Sequence, residues 1–365
     1  MSAKVTFASA RPKELRPNAT LPAVFDRMLG QWDFQNRFGG KKVAIKMHLG
    51  ANLGFSTIHP LLVSRVVKAV KAAGGDPFIT DSPNAVASAA DRGYTAQTLG
   101  CQIQPVAGMS DKYIHTRPIG FRTLDSVGLA GNILDADAMI VLSHGKGHGC
   151  SGFGGAIKNI AMGCVDGPTR GKIHRLMSAA FQWDKDKCTH CMLCRDNCPN
   201  AAIDAKEDGT IEIFDHDCKY CMHCQLACPQ KAITIDQSGY RYFQRGMALT
   251  TKAVLDSYEA QRVMFITVLT HITPFCDCWG FTTPAIVPDI GIVASDNIVT
   301  AEQASIDLIK ADDFIEGSLP SPLRRTPANG PHLLQQIHAK DPYIQVEECV
   351  ALGMGQQQYE MTTVE

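Results

Sequence analysis

Short apolar runs alternate with amphipathic stretches along most of the chain. KKVAIKMHLG, residues 41–50, passes from two lysines into a buried-strand pattern and out into a loop carrying Lys46 and His48. From Pro60, LLVSRVVKAVKAA holds its apolar residues on a helical period, with proline at the start and Gly74-Gly75 as the stop. DPFITDSP reads as a second short strand ending at Asp81, residues 85–100 as a second helical stretch, and NILDADAMIVLSHG as a third strand. After a cysteine-rich interval the alternation resumes. YFQRGMALTTKAVLDSYEAQ is patterned as helix, RVMFITVLTHI and VPDIGIVAS as strands, and AEQASIDLIKA as helix. The tail from 317 is richer in Pro, Gly and Gln, with a helix expected over 331–339. Such alternation predicts an α/β fold, a mostly parallel sheet with flanking helices, in which ligands collect beyond the carboxyl ends of the strands.

The interruption has its own rule. CTHCMLCRDNCP sets Cys188, Cys191, Cys194 and Cys198 at steps of two, two and three intervening residues, with Pro199 next. CKYCMHCQLACP repeats the spacing with Cys218, Cys221, Cys224, Cys228 and Pro229. This is the bacterial two-cluster ferredoxin spacing. In it three thiolates of one run wrap a [4Fe-4S] cube and the cysteine before the proline closes the other cube. One cluster is therefore expected on Cys188, Cys191, Cys194 and Cys228, the other on Cys218, Cys221, Cys224 and Cys198. Zinc also takes four cysteines, but it has no need of the three-cysteine run or of the crossed proline cysteine. NAAIDAKEDGTIEIFD and QKAITID supply short helices and hairpin strands, with a turn at Gly209. The expected organisation is a first α/β part over 1–183, a ferredoxin-like insert over 184–239, and a second α/β part with the tail over 240–365.

Composition narrows the partners. Among 365 residues, 35 Lys plus Arg against 36 Asp plus Glu leave a formal charge of -1, so no basic field invites nucleic acid or anionic lipid. MSAKVTFASARPKELRPN lacks the apolar core of a signal peptide, and no apolar run reaches the ~20 residues that span a bilayer. A soluble cytoplasmic protein is expected, acting on a small molecule and exchanging electrons with a redox partner protein, with no nucleic acid and no membrane involved. Fourteen cysteines in such a chain argue for metal ligation rather than disulfides.

HGKGHGCSGFGGAIKNIAMGC, residues 144–164, concentrates the remaining chemistry. His144, Lys146 and His148 alternate with glycines, so an extended backbone turns all three to one side. Gly152, Gly154 and Gly155 precede a helix-like segment with Lys158 and Asn159, offering backbone N-H groups to an anion such as a cofactor phosphate; a tight turn is the plainer reading. Lys158 could pair with phosphate as a point charge or anchor a cofactor covalently. His174, in GKIHRL, is a further candidate ligand. Lys46 and His48 repeat the spacing of Lys146 and His148, and the four would ring one pocket if their strands are neighbours. Cys276 and Cys278 in PFCDCWGF face one way if extended and are badly placed for a disulfide. They read as metal or cluster ligands, or equally as buried inert thiols. Cys150 and Cys164 are weaker candidates of the same sort, and Cys101 and Cys349 read as packing.

The chain resembles the family of iron-sulfur-centre proteins known as domain of unknown function 362. VAIKMHLG, GKGHGCSGFGGAIKNIAMGC, the two cysteine runs, TPFCDCWGF, VPDIGIVAS and ALGMGQQQYEM carry the resemblance. The pattern His148-x9-Lys158-x15-His174 is similar to the core of the nickel-dependent lactate racemase family. That likeness implies Lys158 as anchor of a nickel-pincer nucleotide, His174 as nickel ligand and His148 as acid/base. AMGC stands where the racemases have a proline-glycine step, and NAVASAADRGYTAQTLG offers Arg92 and Tyr94 in place of their other acid/base histidine. Three functions stay open. The first is an oxidoreductase of anaerobic character, passing low-potential electrons from the clusters to a substrate or second cofactor at the 144–174 loop. The second is a non-catalytic electron-transfer or cofactor-handling protein, and the third a nickel-dependent racemase or epimerase with structural clusters. A large domain with its own ionisable pocket exceeds what a bare carrier needs, which favours the first.

Overall fold

The computed structural model describes residues 3–51, 53–178, 181–214, 217–218, 220–236, 238–280, 282–320 and 323–365. Eight strands make the central sheet: β1 (Ala3–Ser9), β2 (Lys42–Lys46), β3 (Asp76–Asp81), β4 (Ile103–Pro105), β5 (Ala138–His144), β6 (Val263–Leu269), β7 (Gly291–Ser295) and β8 (Tyr359–Val364). Their order is β8-β1-β7-β6-β5-β2-β3-β4. Within this sheet β7 alone runs against its neighbours, and every other pairing is parallel.

The two-residue period sorts each strand between two cores. Val43, Ile45, Ile140, Leu142, Met264 and Ile266 pack with helices Leu21–Gly30 and Pro60–Ala72 on one face. Ala44, Met139, Val141 and Phe265 pack on the other with helices Ala156–Gly163 and Ser238–Leu255. All seven residues of β5 are buried, as expected for a parallel strand covered on both sides. The chain steps outward from β2 to β3 and β4, then returns to β5 on the opposite side of β2. That reversal opens a crevice beyond the carboxyl ends of β2 and β5. Lys46 closes β2 and His144 closes β5, so the sheet itself brings the two ionisable segments together.

Some elements depart from the sequence pattern. The helical stretch expected over 85–100 is three short turns, Pro83–Ala87, Ala89–Arg92 and Ala96–Leu99, because Gly93 and Gly100 adopt left-handed φ of 79° and 78° and end each turn. VPDIGIVAS is antiparallel because a loop, not a crossover helix, leads back from β6. Strand β1, the edge strand β8 and the hairpin Ile114–Phe121/Leu124–Ala130 lie where no strand was read. Among the described residues no helix is long and apolar enough to cross a membrane.

The cysteine-rich segment is built from two like halves. Phe181–Trp183 pairs with Ile233–Ile235, and Ile203–Ala205 with Ile211–Ile213. Each half carries one short helix, Leu193–Asp196 or His223–Ala227. Non-glycine residues with left-handed φ fall at matching places in both: His190 and Tyr220, Met192 and Met222, Ala201 and Lys231. Such a backbone is costly for an L-residue and persists only where its surroundings require it.

Candidate functional site

A cavity of about 140 Å³ lies in the crevice, lined among others by Lys46, His48, Asp81, His144, Lys146 and Lys158. The β2 half is organised by Asp81. Its carboxylate accepts from Lys46 Nζ at 3.0 Å, His48 Nδ1 at 2.8 Å and the Leu49 N-H at 3.0 Å. Burial opposes its ionisation, yet the Lys46 ammonium and the His48 ring hold it well below the usual carboxylate range. Lys46 also donates to Met47 O and Asn159 Oδ1, both at 2.8 Å, so its three protons are all engaged. His48 differs. With Nδ1 on the carboxylate, its Nε2 has no hydrogen-bond partner and carries the lone pair of a base.

The β5 half repeats the device around Asp277. That carboxylate faces His144 Nδ1 at 3.0 Å and Lys146 Nζ at 3.1 Å. Burial again opposes ionisation, and Lys146 and His144 again hold the carboxyl well below its usual range. His144 Nε2 faces Thr270 O at 2.9 Å. Both ring nitrogens thus meet oxygen acceptors, an arrangement satisfied by the imidazolium form. His144 is held through both ring nitrogens, whereas the buried Nε2 of His48 has no hydrogen-bond partner.

Behind Lys146 the chain turns through a hairpin, Lys146–His148 against Gly152–Gly154. Its glycines answer to packing. A Cβ on Gly147 would lie 2.2 Å from Pro274 O, and one on Gly149 would lie 2.9 Å from the Trp279 ring and 3.1 Å from Cys221 Cβ. The loop 274–279 and the cysteine-rich segment therefore press directly on this backbone. Next to it, Lys158 Nζ meets Cys276 Sγ at 2.8 Å and Cys278 Sγ at 3.4 Å. Burial would raise the Cys276 thiol, but a hydrogen bond from Cys278 and the Lys158 ammonium bring it well below its ordinary value. Cys278 is pushed well above its ordinary value by its hydrogen bond with Cys276. Burial would favour neutral Lys158, and the two sulfurs override it and raise its pKa. Lys158 is accordingly an ammonium in ion pair with a thiolate. One ring nitrogen of His148 lies within 4.8 Å of both sulfurs, the group of three among the described residues with single-ion spacing.

The acceptor at the start of helix Ala156–Gly163 is the chain's own side chain. Glu302, fully buried, accepts from the Ala156 N-H at 2.6 Å, where a cofactor phosphate was expected over Gly152, Gly154 and Gly155. Asn159 is likewise committed, donating to the carbonyls of Lys46 and Leu142. Burial raises the Glu302 carboxyl to about 8 against the helix N-H groups that lower it. A carboxyl with a raised folded value binds more protons folded than unfolded, so its contribution is fully present below about 4.5 and lost as pH rises to about 8. Glu302→Gln should therefore flatten that limb, which amounts to at most about 5 kcal/mol. Urea midpoints at pH 5 and pH 8 measure the difference, and equal slopes in both proteins would refute it.

The two cysteine runs close into two quartets. One cavity is lined by Cys188, Cys191, Cys194 and Cys228, a second by Cys198, Cys218, Cys221 and Cys224. Sulfurs accept backbone N-H groups at matching places, Ala202 to Cys198 at 3.1 Å and Ala232 to Cys228 at 3.3 Å. Neither quartet brings three sulfurs within 4.8 Å of one another among the described residues. Four thiolates at 2.3 Å from one zinc would sit about 3.8 Å apart. Among the described residues the quartets therefore lack the spacing of ligands around one ion. The second lies against the hairpin, with Cys221 at Gly149 and Lys340 Nζ on Cys221 O. In the first, Cys191 is exposed.

Of the remaining candidates, His174 stacks on Phe243 at 5.4 Å, and His148 stacks on the same ring at 6.3 Å. It lies outside the three-residue group with the sulfurs. Arg92 donates to Leu49 O and Ser88 O, and the Tyr94 hydroxyl to Ile58 O, so both shape the loop after β2. Lys46, His48 and Lys146 share the cavity wall, while His148 faces the sulfurs instead. Asp81, Asp277 and Glu302 were not singled out from sequence. A carboxylate at a strand end opposite two lysine-histidine pairs was the available signal for the first two; Glu302, inside a helix, gave none.

A family model described as "Domain of unknown function (DUF362)" matches residues 43–307. No curated protein matches the chain. Among solved structures, a protein from Thermotoga maritima is similar at 11% identity and a TM-score of 0.36, covering 68% of this chain and 50% of its own. The lactate racemase apoprotein from Thermoanaerobacterium thermosaccharolyticum is similar at 12% identity and a TM-score of 0.34, covering 73% and 51%. The chain thus spans about half the length of these structures.

Proposed function

The chain belongs to the family described as domain of unknown function 362, and from that premise we propose that it is an iron-sulfur oxidoreductase that delivers electrons to a small molecule held in the β2/β5 cavity. The contact of Cys221 with Gly149, one residue from His148, carries this reading, because it sets one cysteine quartet against the wall of the ionisable site. Cys188, Cys191, Cys194 and Cys228 would hold the outer cluster, and Cys198, Cys218, Cys221 and Cys224 the inner one. When bound, [4Fe-4S] clusters supply single electrons at low potential. Exposed Cys191 marks the side where a small electron-carrier protein would dock.

The rest falls to the chain's own residues. Reduction of an organic substrate consumes protons as well as electrons, and His48, held by Asp81 on the cavity wall, is the residue placed to supply one. Lys146 and His144 present fixed positive charge that orients an anionic or carbonyl oxygen, with Asp277 holding both in place. The cavity admits a molecule about the size of four or five waters, so the substrate is small or only its reacting end enters.

Anaerobic purification should yield about eight iron atoms per chain, with a reducible low-potential signal in electron paramagnetic resonance. Zinc in place of iron would sink the proposal. Iron without any ligand-dependent oxidation of the reduced protein would leave only a carrier and sink the enzymatic part.

A further inference from the structure

His148, Cys276 and Cys278 form a group that neither quartet nor cavity wall uses. We propose that they bind one divalent transition metal of thiolate and imidazole preference, in a three-ligand site whose fourth position opens to the β2/β5 cavity. The inference rests on the preceding reading for the metal's purpose; the site itself can be tested without it.

Three observations converge. First, one nitrogen and two sulfurs lie within 4.8 Å of one another, the spacing of donors around a single ion, and one nitrogen with two sulfurs is a donor set suited to zinc, nickel or iron. Second, the His148 ring is held in place: its Nδ1 accepts from the Cys150 N-H at 3.3 Å and lies 3.0 Å from Ser151 Oγ, which itself lies 2.9 Å from Phe153 O. Third, the place of a cation is already filled by one: Lys158 Nζ sits on both sulfurs. Cys276 and Cys278 are both free thiols, the first buried and the second exposed.

The open position follows from what lines the cavity. Cys278 and Lys158 are on its wall, while Cys276 is buried behind them. Metal entry takes the sulfurs from Lys158 and releases its ammonium toward the cavity. Lys46, Lys146 and Arg170 keep their carboxylate partners Asp81, Asp277 and Asp111. Lys158 then becomes the cation free to meet an anionic group, and the ligand class is a small carboxylate or similar anion with an oxygen for the metal.

The test loads anaerobically purified protein with Zn²⁺ alone and with Ni²⁺ alone, desalts it, and counts iron and added metal together. The wild type should keep about one added ion per chain, with sulfur and nitrogen in its first shell by X-ray absorption. Cys278→Ser, at an exposed position, should lose that ion with iron unchanged. Cys191→Ser should do the reverse, losing iron and keeping the added ion. No retained ion in the wild type, retention in Cys278→Ser, or a shell without sulfur would overturn the proposal. An iron-free protein that still binds the ion would instead overturn the electron-delivery reading alone.

Discussion

Asp277→Asn should be among the most damaging single changes available, at roughly 3–5 kcal/mol. The carboxylate is 3% exposed and faces two cationic groups, His144 and Lys146, that are themselves buried. Asparagine keeps the shape and removes the charge, leaving both cations in a poorly solvated site with no anion. The pH dependence has a definite sign. Asp277 and Asp81 are held below their unfolded value of 3.8, so their contribution is fully present above that value and is lost as pH falls beneath it. The wild type should weaken below pH 4, and Asp277→Asn should be weaker at pH 7 but lose less on acidification. Urea midpoints at the two pH values check both parts. A penalty under about 1 kcal/mol would show that the ion cluster does not hold the 274–279 loop.

Cys221→Ala should remove about half of the iron and isolate the cavity from its electron supply. Cys191→Ala should also remove about half, yet the two proteins should part in how they are reduced. Cys221 belongs to the quartet that touches Gly149, so its loss breaks delivery whatever the reductant. Cys191 is exposed in the outer quartet. Its loss should abolish delivery from a carrier protein but spare delivery from a small diffusible reductant. Rapid mixing of each variant with both kinds of reductant distinguishes them, and identical behaviour would remove the inner and outer assignment.

Local pattern made much of this molecule legible. β2, β3, β5 and β6 each declared themselves because a strand buried on both faces has few residue types to choose from, and the Pro60–Ala72 helix carried its own start and stop. β1 and the edge strand β8 did not, since AKVTFAS and YEMTTV mix polar and apolar residues as partly exposed strands must. In the site, the lysine-histidine spacing pointed to a shared pocket correctly for Lys46, His48 and Lys146. It says nothing of Gly147 and Gly149. A glycine that lets a neighbouring loop approach looks, in sequence, the same as one that bares its backbone to phosphate. Only the positions of Pro274, Trp279 and Cys221 tell the two apart. Nothing local in the sequence brings Cys276 to Lys158 either, because their meeting depends on β5 and β6 being neighbours in the sheet.

The crossing of the two quartets bears on how the protein is made. The quartet that opens at Cys188 is completed only by Cys228, after every cysteine of the other has been synthesised, and the quartet that begins at Cys198 waits for Cys218, Cys221 and Cys224. A chain leaving the ribosome therefore displays partial sets of thiols until almost the whole segment has emerged. A break between Cys198 and Cys218 leaves both quartets incomplete at once, and only the quartet that begins at Cys198 can be complete before Cys228 is made.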